Sequence, residues 1–251
     1  MKFKAEPFLF GAAIVVVFCG YLWSTVTSGI NPVQWRDGDL IVQRAKASPV
    51  LPVFARKGEP PAQIGIIQVT DHGPVVIEAT DTVTETPVAE FIARGWSRQF
   101  AAYRVPGLTT IQANVVIAAA RARVGTPGDF FLDEEPDHIY SSELVRMAYG
   151  AVGIRFSHTD RLGDLAKGNP AVSSKFMGRW SESKPCKRRY LDYEQCWNVI
   201  AHHEVITPDA IITDTRVQKI YASPGMDQQM LADATAPAEA QPSSPGVRLR
   251  P

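Results

Sequence analysis

Residues 62–79 read AQIGIIQVTDHGPVVIEA: two apolar runs, Ile64–Val69 and Val75–Ala79, separated by Thr70-Asp71-His72-Gly73. Apolar, largely β-branched runs of this length around an Asp/Gly reversal carry hairpin chemistry, because Asp and Gly tolerate the positive φ that tight reversals need. Two antiparallel strands are predicted. Working outward, Asp39–Arg44 predicts a strand before the hairpin and Gln99–Val105 one after it. Thr86-Pro87 followed by VAEFIARG predicts a helix with proline in its first turn and Gly95 as its stop. A longer helix is predicted from about Thr109 to Val124, with Ile111, Val115, Ala118, Ala119 and Ala122 as the core face and Gly125 as the end. The loop GTPGDFFLDEEPDHIY (125–140) follows, then a second helix, SSELVRMAYG (141–150). The loop's Asp129, Asp133, Glu134, Glu135, Asp137 and His138 lack the spacing of a calcium loop and read as a solvated acidic segment. Beyond Ala151 the pattern weakens; Trp180 and Trp197 read as packing residues, and apolar character returns in EVITPDAIITDTRVQKIYA (204–222).

The two ends differ from this middle. Phe8–Val26 spans 19 residues without a charge, close to the length that crosses a hydrocarbon core, and Lys2 and Lys4 precede it. Residues 1–30 are therefore expected to form an N-terminal transmembrane anchor, with the main domain exported: a single-pass inner-membrane protein. A cleaved signal peptide, leaving a secreted form, is the alternative, although only the weak Thr25-Val26-Thr27 and Val26-Thr27-Ser28 triplets could serve as its cleavage site. Residues 31–222 then make the folded domain. The stretch 223–251, rich in Pro, Ala, Gln and Ser, reads as a disordered tail that buries too little apolar surface to order itself.

Charge and cysteine use narrow the function classes. The 251 residues carry 26 basic and 26 acidic side chains, a balance that implies no nucleic-acid partner. Cys186 and Cys196 are the only cysteine pair outside the apolar segment, in an irregular basic stretch, and export would let them close a small disulfide loop. A zinc site would need two more ligands, and the adjacent His202 and His203 point apart, so no metal or other cofactor is expected.

A family pattern then emerges along the chain. In order come Trp35-Arg36-Asp37-Gly38-Asp39-Leu40-Ile41, Ile64-Gly65-Ile66-Ile67, Val75-Val76-Ile77-Glu78-Ala79 with Pro87 to Ile92 behind it, Gly125 to Phe131, Tyr140-Ser141-Ser142-Glu143-Leu144-Val145, and Val205-Ile206-Thr207-Pro208. This series resembles the permuted papain-like hydrolases, specifically the YiiX/YebB-like branch of the NlpC superfamily. The resemblance implies an α+β fold, an antiparallel sheet with packed helices. It also implies a strand His as base, a Cys nucleophile at a helix N-terminus whose unpaired N–H groups favour a thiolate, and a polar residue that orients the His.

Both reactive positions are altered here. The family's Ser-His-x-Gly is matched by Ala62-Gln63-Ile64-Gly65, and its Tyr-Cys-Ser-Glu-Leu-Val by Tyr140-Ser141-Ser142-Glu143-Leu144-Val145. Gln63 stands for the base, Ser141 for the nucleophile, and Glu78 matches the orienting residue. An amide has no protonation equilibrium near neutral pH, and a Ser hydroxyl without a base is a poor nucleophile. Ser141 and Ser142 also suit a helix N-cap. The resemblance places substrate-binding positions at Tyr140 and Asp39, and implies a peptide, peptidoglycan or acyl ligand.

The expectation is a membrane-anchored envelope protein whose Gln63, Glu78 and Ser141 converge in a cleft that binds but does not hydrolyse. The alternatives are an active amide or ester hydrolase using Ser141 with a rearranged base from His138, His202 or His203, and a structural subunit of a membrane complex.

Overall fold

The computed structural model describes residues 33–45, 62–133, 137–167 and 170–226. The predicted N-terminal transmembrane helix lies outside them, as does the tail beyond residue 226. Among the described residues no helix is long and apolar enough to cross a membrane.

The elements run β1 (Leu40–Ala45), β2 (Ala62–Thr70), β3 (Gly73–Ala79), β4 (Val83–Pro87), α1 (Val88–Arg94), β5 (Gly95–Arg104), α2 (Thr110–Arg121) and α3 (Ser141–Gly150). They continue with β6 (Asp160–Arg161), α4 (Leu162–Ala166), α5 (Pro170–Met177), α6 (Lys184–Arg188), α7 (Tyr193–Ile200), β7 (Glu204–Val205), α8 (Pro208–Ile212) and β8 (Gln218–Ala222). The main sheet is antiparallel throughout in the order β4-β3-β2-β1-β5-β8. The quoted hairpin supplies its second and third strands: Thr70 pairs with Gly73, whose φ is +110°, and the Thr70 Oγ1 donates to the Gly73 carbonyl at 2.7 Å.

Both sheet faces are covered, which explains why the strands read as apolar runs rather than alternations. Leu40, Val42, Ile64, Ile66, Ile77, Ala101 and Tyr103 face one core, shared with α2 and α3 through Val116, Ala120, Leu144, Val145 and Ala148. On the alternate positions Ile41, Ile67, Val76, Phe100 and Ala102 face a second core, completed by Trp35 and by Val88, Phe91 and Ile92 of α1. A one-residue shift of register would exchange the two sets.

The long helix is capped by Thr109, whose hydroxyl accepts from the Gln112 N–H while the Gln112 side chain accepts from the Thr109 N–H. Its buried residues are Ala113, Val116, Ile117 and Ala120. The face expected in the core is turned outward: Ile111 is 78% and Val115 40% exposed, and Ala118 and Ala122 are exposed beside them. This helix is apolar on both sides, so periodicity located the helix without deciding which side meets the core.

Three further expectations are corrected. The acidic loop is not wholly solvated, since Asp129 is buried and its carboxylate accepts from the N–H groups of Phe131 (2.8 Å), Leu132 (2.8 Å) and Asp133 (2.9 Å). The stretch around the cysteines is helical, and the Cys186–Cys196 bond joins α6 to α7 with Cα atoms 5.2 Å apart. Ser223 and Met226, assigned to the tail, are buried, and Ser223 Oγ accepts from the Phe100 N–H at 2.9 Å.

Gly128 sets the path of the loop that leads into α3. Its N–H donates to Asp81 O at 2.8 Å, and a Cβ there would lie 2.1 Å from the Thr80 carbonyl oxygen, which is backbone and cannot swing aside. Gly128→Ala is expected to destabilise the domain by about 1–3 kcal/mol in urea unfolding, whereas Gly150→Ala, with open space around the added methyl, should not. Equal stabilities for the two variants would contradict this packing.

Candidate functional site

The β2–β3 ladder is paired from Thr70–Gly73 as far as Ile66–Ile77. Beyond that point a side chain takes over: Gln63 Nε2 donates to the Ala79 carbonyl at 2.9 Å and to Glu78 Oε2 at 3.2 Å. Glu78 is fully buried, and an unpaired carboxylate in such a place costs several kcal/mol. Here it accepts from three donors. Thr86 Oγ1 reaches its other oxygen at 2.7 Å, and the Arg94 guanidinium, at the end of α1 and 5.1 Å over the Phe91 ring, forms an ion pair with it. Two of the three proposed site residues are therefore in direct contact, in a network spanning β2, β3, β4 and α1.

Ser141 stands apart from that network. It is the first residue of α3, with Tyr140 rather than a serine at the N-cap position and no side-chain cap. Helix α3 packs on β2 and β3 from the side of Ile64 and Ile66, whereas strand alternation puts Gln63 and Glu78 on the α1 side. Ser141 and Ser142 are buried, and neither hydroxyl has a hydrogen-bond partner among the described residues. Of the three positions expected to converge, Gln63 and Glu78 are in direct contact, and Ser141 makes no hydrogen bond to either.

The two positions expected to bind substrate are engaged by the fold. Tyr140 is buried, and its hydroxyl accepts from the Ile206 N–H at 3.1 Å. Asp39 is held by the Arg104 guanidinium through two bonds of 2.7 Å and by the Arg36 N–H at 2.8 Å. It lines a cleft of about 330 Å³ between Arg36–Gly38 and the start of α2. Beneath this cleft the Tyr149 hydroxyl donates to the Gly38 carbonyl; burial, followed by the nearby Asp39 charge, pushes its pKa well up.

Sequence reasoning missed a second cleft, about 200 Å³, between the 128–138 loop and the segment from Arg179 to Lys184. Arg179 lies 4.2 Å over the Phe130 ring and donates to Glu182 at 2.8 Å. Lys184 Nζ donates to Asp137 at 2.9 Å. That hydrogen bond holds the Asp137 carboxyl down to about 2, with His138 acting in the same direction. No histidine is hydrogen-bonded to Ser141 Oγ; His138 faces Asp137 at 3.3 Å, His158 faces Asp160 at 3.7 Å, and His202 Nδ1 lies 2.7 Å from Asn198 O. Among the described residues no group of three or more His, Cys, Asp or Glu is placed to hold a metal ion.

Comparison with known proteins follows the same outline. The model of a family described as permuted papain-like amidase enzymes, YaeF/YiiX, C92 family, matches residues 29–221. The chain is 27% identical to the uncharacterized protein YiiX of Escherichia coli K12 over 154 residues, 61% of this chain and 76% of that one. The crystal structure of the metalloprotein yiiX from Escherichia coli O157:H7 superposes with a TM-score of 0.63 at 24% identity, covering 76% of this chain and 99% of the other, a likeness of fold.

Two outcomes test the site as described. Arg94→Met removes the cation from buried Glu78 and should lower stability by about 1–3 kcal/mol in urea unfolding, with the loss largely recovered in a Glu78→Gln background. Additive effects of the two changes would contradict the pairing. A carboxyl NMR titration should place the Asp137 midpoint near 2 and return it to the ordinary aspartate range in Lys184→Ala. The sign follows: a depressed carboxylate adds stability above its unfolded value, about 3.9, and that contribution is lost as pH falls towards about 2. An unmoved midpoint in Lys184→Ala would remove the assigned cause.

Proposed function

Because the chain belongs to the permuted papain-like amidase family of YaeF and YiiX, we propose that its domain is a catalytically degenerate member that binds a ligand or partner at the cell envelope, tethered by Phe8–Val26. One observation carries the reading: the hydroxyl at the nucleophile position, Ser141, has no hydrogen-bond partner among the described residues, and the side chain at the base position, Gln63, is bonded to Glu78 and Ala79. Acyl transfer by a serine needs a base within about 2.6–3.2 Å to take its proton and return it to the leaving group. The Gln63 amide can donate and accept hydrogen bonds but cannot do this. Glu78, the one ionisable group of the three positions besides the serine, is paired with Arg94.

What the domain keeps is the family's scaffold, including an α3 N-terminus without a side-chain cap. Uncapped N–H groups at a helix start favour acceptor oxygens, which suits the carbonyl or carboxylate of a peptide, a peptidoglycan stem or an acyl group. Glu143 in the first turn sets the chemistry apart from an open anion site. A solved relative is a metalloprotein; the donor set among this chain's described residues does not fit such a centre, and no step is assigned to one.

Incubating the purified full chain with fluorophosphonate and acyl-sulfonate probes is expected to give no labelling above that of Ser141→Ala, at any pH between 6 and 9. Labelling of the unmodified protein that Ser141→Ala abolishes would establish the hydrolase alternative and end the degenerate reading.

A further inference from the structure

Helix α2 is unusual among the described helices because both of its sides are apolar. Residues 105–120 carry no charge, and Arg121 is the single charged residue of the helix. At 100° per residue Ile111, Val115, Ala118 and Ala122 fall within about 60° of one another, diametrically opposite Ala113, Val116 and Ala120 in the core. Gln112, Asn114 and Arg121 lie on the flanks between the two apolar stripes, and a contiguous apolar stripe left exposed in this way marks a contact surface.

The chain itself indicates what covers this one. The start of α2 sits beside the point where the described domain meets its N-terminal segment: Arg104 donates to the Gln34 carbonyl at 3.0 Å, and Gly38 packs so closely under Leu108 that a Cβ would lie 2.7 Å from its Cδ2. Arg36–Asp39 and Gly107–Ala113 line the same cleft. The uncharged stretch Phe8–Val26 ends seven residues before Val33, a connection of at most about 25 Å when extended. Helix α2 is about 18 Å long, shorter than the longest span of that connection.

We infer that the outward face of α2 rests on the lipid surface, with Ile111 and Val115 entering the boundary between headgroups and acyl chains. Interfacial helices bind in this way through an apolar face lying in the membrane plane. The contact fixes the domain's orientation, which a flexible connection alone leaves free. The inference rests on the reading of Phe8–Val26 as a membrane anchor.

The test uses the full chain with Cys19→Ser, reconstituted in phosphatidylcholine vesicles and carrying an environment-sensitive fluorophore on Ile111→Cys, Val115→Cys or Ala118→Cys in turn. Tyr190→Cys, at a position 95% exposed, is the control. Labels at 111 and 115 are expected to be quenched by lipids doxylated near the top of the acyl chain and to lose most of their iodide quenching, while the label at 190 keeps its own. If the protein sediments with the vesicles but positions 111 and 115 are quenched by iodide as readily as 190, the anchor stands and this inference falls. A protein that stays in the supernatant removes the anchor and the inference together. Labels shielded from iodide yet insensitive to doxyl lipid mean that protein, a second copy or another partner, covers the stripe, which also overturns it.

Discussion

The buried carboxylate of Glu78 fixes how this domain is assembled. A carboxyl group at that depth has to find donors, and it finds them on three other elements: Gln63 on β2, Thr86 on β4 and Arg94 at the end of α1. Each donor constrains something larger. Arg94 holds α1 over Ile41, Ile67 and Val76 and so closes the second core; Gln63 continues the β2–β3 contact where the backbone ladder stops. The resemblance led to an expected base and orienting residue at Gln63 and Glu78; in the structure the two side chains bond each other within this network on one side of the sheet, while the helix bearing Ser141 packs on the other.

Much of the fold was legible because its signals are local. The Thr70–Gly73 reversal, the apolar runs on either side and the start of the long helix near Thr109 each depend on a few neighbouring residues, and all three stand in the structure, whereas that helix ends at Arg121, short of the expected Val124. What was illegible depends on residues distant in sequence. The core face of α2 could not be chosen, since alanines and β-branched residues lie on both sides of it. Helices α4, α6 and α8 have five residues each, too short to show a period. Asp129 read as solvated because nothing local announces that a carboxylate will accept three successive backbone N–H groups.

The site shows the same division. Gln63, Glu78 and Ser141 were singled out by an ordered family pattern, and the family itself is shown by the match over residues 29–221. Arg94 was missed, although a glutamate within an apolar strand calls for a cation; which cation depends on the register of β3 with β4 and the length of α1. For Tyr140 and Asp39 motif position suggested ligand contact, and the structure adds what the motif did not announce: their polar atoms brace α3 against Ile206 and β1 against Arg104.

The central claim of the proposed function is that, among the described residues, no group is placed to take the proton of Ser141. A crystal structure of the full chain at neutral pH, refined well enough to assign the Gln63 amide, measures this most directly. The account predicts Gln63 Nε2 within hydrogen-bond distance of Glu78 and no imidazole nitrogen within about 3.2 Å of Ser141 Oγ. An imidazole from His138, His202 or His203 seated on that hydroxyl, with a carboxylate or carbonyl behind it, would contradict the account and make the protein a serine hydrolase.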